Sequence, residues 1–343
     1  MTDQNYIQRC IFLAQKALGN TYPNPMVGSV IVHNGKIIGE GFHQKAGEPH
    51  AEINAINSVQ NPELIPNSTI YVSLEPCAHF GKTPPCALKI KELGFKKVVI
   101  GAMDPHDKVN GKGKQIITDA GIEVISGILA EECFQLNKRF NTFHQKKRPY
   151  IILKWAESED GFLDKNGKPV AIGNALTKQW VHRVRSQEHA ILVGTTTVLH
   201  DNPTLTTREV EGRNPIRIVI DRQLKLDGNA SVFNIEAETI ILNEIKDEKN
   251  GHLHFVKVEP NRFLENALEK LYELQIQSIL IEGGRYTHQQ FIDSGIWDEA
   301  FIIQNPILKL TEGTPAPKLI DAEKLEEIAF EDNIITHFKN SKN

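Results

Sequence analysis

The pattern that most restricts this chain lies between His50 and Cys86. It reads His50-Ala51-Glu52, then Pro76-Cys77, then Cys86 after a spacer of eight residues. One imidazole and two thiolates supply three ligands of a tetrahedral zinc ion and leave the fourth position to water. A structural zinc site would close with four protein ligands, and the other two cysteines, Cys10 and Cys133, have no partner at close spacing. An open zinc site beside a carboxylate is what hydrolytic chemistry needs. Zinc draws the pKa of its water toward neutrality, and a nearby Glu can take that proton and pass it on. A lone histidine is more often structural than a ligand; His50 is read otherwise because Glu52 and the two cysteines accompany it.

The surrounding pattern alternates strands and helices. Ile7, Cys10, Ile11, Ala14, Ala17 and Leu18 recur at helical spacing from Tyr6 to Leu18, and Gly19-Asn20 is a stop. Ser29 to His33 and Lys36 to Gly41 read as a hairpin about Asn34-Gly35. In Tyr22-Pro23-Asn24-Pro25 two prolines fix the backbone about Asn24, which reads equally as a turn residue or as an amide facing a ligand. A helix begins near His50. Thr69 to Leu74 is a buried strand delivering Glu75-Pro76-Cys77, and Cys86 opens a helix whose N-terminus favours a thiolate. Lys97 to Gly101 and Gly121 to Ile125 read as strands. Asp104 to Gly113 is too polar for core and reads as a loop at a strand's carboxyl end, where ligands bind in such sheets.

Length and charge narrow the field. A chain of 343 residues suggests two domains. A formal charge of −4 and a pI near 6.4 argue against a protein whose main work is binding nucleic-acid backbone. Four cysteines make no disulfide framework in a chain this long, and the metal pattern needs reduced thiols, so a cytoplasmic protein is expected. Met1 to Arg9 lacks the apolar core of a signal peptide, and no run reaches the length of a membrane span.

The boundary falls in Gln145-Lys146-Lys147-Arg148-Pro149, a basic linker dividing residues 1–146 from 147–343. Beyond it, strands are expected at Tyr150 to Ala156, Ala190 to Gly194, Ile216 to Ile220, Thr239 to Leu242, Ser278 to Ile281 and Ala300 to Gln304. Helices are expected at Leu176 to Arg185, Leu264 to Leu274 and Thr287 to Ile292. Thr195 to Arg208 reads as a long polar segment. Glu282-Gly283-Gly284 ends a strand ahead of a helix. It could cradle a phosphate, although two glycines alone read as a plain turn and are not the dinucleotide fingerprint.

His-x-Glu followed by Pro-Cys-x-x-Cys is the general signature of zinc nucleobase deaminases, and this chain differs in its long spacer. Thr21-Tyr22-Pro23-Asn24-Pro25-x-Val27-Gly28, His50-Ala51-Glu52 and Glu75-Pro76-Cys77-Ala78-His79-Phe80-Gly81-Lys82-Thr83-Pro84-Pro85-Cys86 together resemble the deaminase of the bifunctional RibD type of riboflavin biosynthesis. The resemblance continues through Lys154-x-Ala156-x-Ser158-x-Asp160-Gly161, Val181-His182-Arg183-Val184-Arg185, Gly194-x-x-Thr197-Val198-Leu199-x-Asp201-x-Pro203-x-Leu205-x-x-Arg208 and Glu282-Gly283-Gly284, which look like that family's reductase domain.

The resemblance implies an α/β protein, with a cytidine-deaminase-like three-layer α/β/α domain followed by a dihydrofolate-reductase-like α/β domain. It implies zinc on His50, Cys77 and Cys86, proton transfer by Glu52, and substrate contacts from Asn24, His79 and Lys82, the last two suited to a phosphate. In the second domain, Ala156, Ala171, Thr197, Asp201, Gly284, Arg285, Tyr286 and Thr287 would contact NADPH, and Lys154, Arg185, Leu205, Arg208 and Glu282 the substrate. Two arginines can grip a ribose phosphate in bidentate fashion.

The implied reactions are hydrolytic deamination of 2,5-diamino-6-ribosylamino-4(3H)-pyrimidinone 5′-phosphate, then reduction of its ribosyl group by NADPH to give 5-amino-6-ribitylaminouracil 5′-phosphate. A homo-oligomer acting on a small molecule, with neither nucleic acid nor membrane as partner, is expected. The chain departs from the family at Glu157, Glu159 and Ala171-Ile172-Gly173-Asn174, and an acidic pair near a cofactor phosphate would weaken binding. Two other readings stand beside this one. A nucleic-acid base deaminase would need an aromatic-basic stripe, which is absent. A C-terminal half that only binds would fail to take up NADPH.

Overall fold

The computed structural model describes residues 1–80, 84–107 and 109–342. They form two compact units, Met1–Lys147 and Arg148–Asn343.

The first unit runs α1 (Asp3–Gln15), β1 (Gly28–His33), β2 (Lys36–Phe42), α2 (Ala51–Asn57), β3 (Thr69–Leu74), α3 (Cys86–Leu93), β4 (Lys97–Ala102), α4 (Lys112–Asp119), β5 (Glu123–Ser126), α5 (Ala130–Leu136) and α6 (Lys138–Lys146). The strands lie in the order β2-β1-β3-β4-β5. β1 is antiparallel to both neighbours, while β3, β4 and β5 are parallel. Successive residues of a strand face opposite sides, and here both sides are covered. Ile31, Ile70, Val72, Val98 and Ile100 pack with Ala55, Ala87, Ile90 and Ile117 of α2, α3 and α4. Val30, Tyr71 and Val99 pack with Ile7, Cys10, Ile11 and Cys133 of α1 and α5. This is the expected three-layer arrangement.

Two glycines set how close the helices come to the sheet. A Cβ on Gly41 would stand 2.4 Å from Ala55 N and 2.7 Å from Ala51 O, so only glycine lets α2 rest on β2. A Cβ on Gly113 would stand 2.0 Å from Pro76 O, so α4 can begin directly against the strand end that carries Cys77. The segment read as a loop from Asp104 to Gly113 therefore ends earlier, with Lys112 and Gly113 already in α4.

The second unit runs β6 (Tyr150–Ser158), α7 (Ala175–Gln187), β7 (Ala190–Gly194), α8 (Thr195–Asp201), β8 (Ile216–Ile220), β9 (Thr239–Asn243), β10 (Glu248–Asn250), β11 (Leu253–Lys257), α9 (Phe263–Glu273), β12 (Ser278–Ile281), α10 (Arg285–Asp293), β13 (Glu299–Asn305), β14 (Ala322–Phe330) and β15 (Asn333–Asn340). The sheet order is β10-β11-β9-β8-β7-β12-β6-β13-β15-β14. The strands from β11 to β13 pair in parallel; β10, β15 and β14 join antiparallel. Ile151, Leu153, Leu192, Ile218 and Ile279 face one core, and Ile152, Ile191, Val193, Val219 and Leu280 the other.

One expectation is corrected here. The segment from Thr195 to Arg208 is not wholly irregular, because Thr195 to Asp201 forms α8. Only Val198 of that helix is buried, so it carries no apolar stripe to betray it.

Candidate active sites

His50 caps α2, with extended backbone (φ −69°, ψ 164°), and presents Nδ1 to both cysteines. Nδ1 lies 3.5 Å from Cys77 Sγ and 3.4 Å from Cys86 Sγ. Among the described residues, these three form the group of histidine, cysteine and carboxylate side chains able to hold a metal, with ligand atoms within 4.8 Å of one another. With zinc at about 2.3 Å from sulfur and 2.0–2.1 Å from nitrogen, tetrahedral N and S ligands stand about 3.6 Å apart. The observed spacing fits.

The local chemistry favours thiolate. Cys86 opens α3, and its N–H donates to Cys77 Sγ at 3.2 Å. Cys77 ionises first, held well below the usual thiol range by its hydrogen bond with Cys86, against burial, and then by His50. Cys86 is pushed up by the sulfur beside it and by burial. The bond to Cys77 raises the His50 pKa, so metal binding competes with a proton.

Glu52 sits in the first turn of α2 and is 3% exposed. Burial, then the Cys77 charge, pushes its carboxyl up to about 7. A carboxyl poised there can hold or release a proton near neutral pH. A dication bound beside it would favour its ionised form.

Two buried residues that the sequence reading did not single out complete the setting. His43, at the end of the β2 segment, shares a hydrogen bond with Pro49 O through Nδ1 (3.1 Å) and meets Asn24 Nδ2 through Nε2 (3.0 Å). A carbonyl beside Nδ1 puts the ring proton there and leaves Nε2 as acceptor for the Asn24 amide. Asn24 is thus oriented by a side chain that also braces the residue before His50. Glu75 accepts from Gly111 N (2.9 Å), Lys114 N (3.0 Å) and Asp104 N (3.4 Å), tying the loop after β4 and the start of α4 to the strand end before Cys77. An acid one residue before Pro-Cys was the available signal for it. His79 is exposed and its ring faces His106. Lys82 lies outside the described residues.

In the second unit, a cleft of about 1400 Å³ opens at the carboxyl ends of the parallel strands, lined by Gly194, Ile220, Glu282 and Ala156 at the ends of β7, β8, β12 and β6. That is where open α/β sheets bind ligands. Lys154, Ala156, Ala171, Arg185, Thr197, Asp201, Arg208, Glu282, Gly284, Arg285, Tyr286 and Thr287 all line it. Lys154 Nζ lies 3.0 Å from Glu282 Oε2, and Arg185 grips the same carboxylate through Nε and Nη2. Burial would raise the Glu282 pKa, but Arg185 and Lys154 together hold it below the usual carboxylate range.

Gly284 N–H donates to Thr197 Oγ1 at 3.0 Å, so the starts of α8 and α10 are linked at the cleft. A Cβ on Gly283 would come within 2.8 Å of Thr287 Cβ, which accounts for one of the paired glycines. Arg208 N–H donates to His182 Nδ1 at 3.1 Å. Leu205 is placed differently from the other named residues. Its side chain is 3% exposed and packs in the core with Tyr150, Ile152 and Val193, on a backbone of φ 56°.

Of the departures noted in the sequence, Ala171 to Asn174 line the cleft, whereas the two acids stay off its wall. Glu157 accepts from Trp155 Nε1 at 2.8 Å, and Glu159 lies 3.3 Å from Lys309 Nζ. Asp221 and Lys225, which sequence reading passed over, do line the cleft.

Comparison with known proteins gives each unit a match. Residues 1–102 match the cytidine and deoxycytidylate deaminase zinc-binding region, and residues 149–341 match the RibD C-terminal domain. A chain that joins the two is a bifunctional zinc deaminase and NADPH-dependent reductase. It belongs to the RibD family of riboflavin biosynthesis proteins.

A RibD protein of Aquifex aeolicus is 40% identical over 311 residues, spanning 89% of this chain and 87% of the relative. One of Actinobacillus pleuropneumoniae is 38% identical over 340 residues, spanning 96% and 89%. The crystal structure of a diaminohydroxyphosphoribosylaminopyrimidine deaminase/5-amino-6-(5-phosphoribosylamino)uracil reductase from Thermotoga maritima superposes with a TM-score of 0.90 at 36% identity, covering 98% of both chains. The described residues contain no helix long and apolar enough to cross a membrane.

Proposed function

We propose that the first unit deaminates the diaminopyrimidinone ribotide, that the second reduces the ribosyl group of the deaminated product, and that the residues named above carry the steps. The observation that carries this reading is the convergence of His50 Nδ1, Cys77 Sγ and Cys86 Sγ within 4.8 Å, with His50 at the start of the helix that bears Glu52.

Zinc held by His50, Cys77 and Cys86 supplies Lewis acidity that makes water a nucleophile at neutral pH. Glu52 takes one proton of the water and delivers it to the ring nitrogen, then takes the second from the hydroxyl now on the ring carbon and delivers it to the amino group, which leaves as ammonia. Its burial excludes bulk water from the transfer. Asn24, held by His43, orients the pyrimidine. His79 and Lys82 take the phosphate.

In the second unit NADPH supplies the hydride. Thr197, Asp201 and the α10 start from Gly284 to Thr287 hold it. Lys154 and Arg185 position the sugar, and Arg208, exposed on the cleft wall, meets its phosphate. The protein works as a homo-oligomer in the cytoplasm on a small molecule rather than on nucleic acid. Four free cysteines and the acidic net charge support the compartment and the substrate class.

The test is mass spectrometry on the zinc-loaded chain given the diaminopyrimidinone ribotide, with and without NADPH. Exchange of an amino group for oxygen without NADPH, and gain of two hydrogens only with it, is expected. Glu52→Gln should keep its zinc and lose the first change. Deamination without reduction would make the second unit a binding domain.

A further inference from the structure

Thr204 to Arg208, between α8 and β8, has no regular structure, yet each of its residues is held from outside the segment. Arg217 of β8, fully buried, donates from Nη1 to Thr204 O at 3.4 Å. Leu205 sits in the core at φ 56°, a left-handed conformation that a leucine keeps only where its surroundings over-determine it. Arg185 donates from Nη1 to Thr206 O at 3.4 Å. Thr207 N–H donates to Asn214 Oδ1 at 2.9 Å. Arg208 N–H donates to His182 Nδ1 at 3.1 Å.

The last of these holds matters most, because the Arg208 side chain stays exposed on the cleft wall. Its Nη1 donates to the hydroxyls of Thr204 and Thr206, neutral acceptors that aim the guanidinium without cancelling its charge. That aim is only as good as the placing of the Arg208 backbone, and His182 sets it. His182 and Arg185 stand three residues apart on one face of α7, so a single helix fixes the segment at Thr206 and again at Arg208.

The bond also fixes the form of the ring. A backbone N–H can only donate, so Nδ1 is the acceptor and the imidazole is neutral with its proton on Nε2. Burial, then the charges of Arg185 and Arg208, pushes the His182 pKa down to about 4, against Glu209 and Glu282. The ring therefore stays an acceptor at neutral pH, although it is 2% exposed between two cations.

We propose that His182 is a positioning residue for the phosphate specificity of the reductase: its Nδ1 sets the Arg208 backbone, and so presents the Arg208 guanidinium to the 5′-phosphate of the deaminated ribotide. This rests on the phosphate contact proposed above for Arg208. It also gives the buried Leu205 a part at the site, as the anchor that turns the segment toward His182.

The experiment uses the zinc-loaded full chain with the deaminated ribotide, and with the same compound lacking its phosphate. His182→Phe keeps a ring and removes the acceptor. Leaving the Arg208 N–H unpaired is expected to raise the KM for the ribotide about tenfold at unchanged kcat. The KM for the dephosphorylated compound and that for NADPH should not move. His182→Asn offers Oδ1 in place of Nδ1 and should restore the wild-type KM. Arg208→Ala should remove the preference for the ribotide, and adding His182→Phe to it should change nothing more. NMR of the wild-type histidine rings near neutral pH should show His182 with its proton on Nε2. Equal KM changes for the two compounds, failure of His182→Asn to restore the KM, or a His182 proton on Nδ1 would overturn the inference. If Arg208→Ala leaves the preference intact, the phosphate contact fails and takes the inference with it. If Arg208→Ala removes the preference and His182→Phe keeps it, the inference alone falls.

Discussion

Arg185 holds Glu282 with two parallel hydrogen bonds of 2.8 Å, Nε to Oε1 and Nη2 to Oε2, across 97 residues of chain. Lys154 Nζ adds a third contact at 3.0 Å. The side chains are 13% exposed for both cations and 7% for the acid. Removing one partner of such a group leaves the others buried without compensation, at a cost of about 3–5 kcal/mol. Glu282→Gln is therefore expected to destabilise the second unit by an amount in the lower part of that range, since the amide still accepts hydrogen bonds. NADPH-dependent reduction should be lost and deamination kept. The three tryptophans, Trp155, Trp180 and Trp297, all lie in the second unit, so denaturant unfolding followed by their fluorescence reports on it alone.

Acid should weaken the same unit in two stages. His182, His189 and His288 are pushed below the ordinary imidazole value, first of all by burial: His182 to about 4, His189 to about 3, His288 to about 4. The unfolded chain, with imidazoles near 6.5, binds protons that the folded chain does not, so stability falls as pH drops from about 6.5 toward 4. Glu282 is shifted the same way, held down by its two cations against burial. Its contribution is complete above the ordinary carboxylate value of about 4.3 and is lost as pH falls below it. The tryptophan-detected midpoint should decline from pH 6.5 downward and more steeply below about 4.5. A midpoint flat between pH 7 and 5 would show that these histidines are not kept neutral by the fold.

The elements that hold the zinc cluster were legible because their signals are local. Asn34-Gly35 turns the β1–β2 hairpin, an apolar run makes β3, and Gly94 in the left-handed region closes α3. What escaped depends on contacts between distant residues or on surfaces without pattern. α8 begins Thr-Thr-Thr, three β-branched residues with low helix propensity, and buries only Val198. β14 reads Ala-Glu-Lys-Leu-Glu-Glu-Ile-Ala-Phe and lies at the sheet edge with eight exposed residues, so no alternation marks it as a strand. His43 and Asn24 are 19 residues apart, and nothing in either neighbourhood announces their bond. Leu205 differs from the other positions carried over from the family in that the fold sends its side chain into the core.

Glu157 and Glu159 give the sequence its main reason to doubt the second unit. Their positions remove that reason. Glu157 is occupied by the Trp155 indole, Glu159 faces Lys309 on the surface, and neither lines the cleft. Exposed ion pairs are worth at most about 1 kcal/mol. Glu159→Gln should therefore leave both stability and the NADPH dissociation constant within error of wild type. Glu157→Gln should likewise leave NADPH affinity unchanged, because the carboxylate is directed at Trp155. A severalfold gain in affinity in either variant, measured by quenching of tryptophan fluorescence, would place that acid's charge at the cofactor after all.

His43 offers the sharpest separation of positioning from bulk stability in the first unit. It is 2% exposed, yet both ring nitrogens have polar partners: Pro49 O on one side and the Asn24 amide on the other. Partners that orient a ligand or a substrate contact commonly change affinity or activity about 10–100-fold when removed. His43→Ala should lower kcat/KM for deamination by about that factor, with reduction of the already deaminated ribotide untouched. If its effect passes through Asn24, the double variant with Asn24→Ala should be little worse than Asn24→Ala alone, because residues that act as one unit do not add. Losses that multiply in the double variant would mean that His43 acts through Pro49 and His50 instead. Zinc content measured on the same samples would then fall with activity.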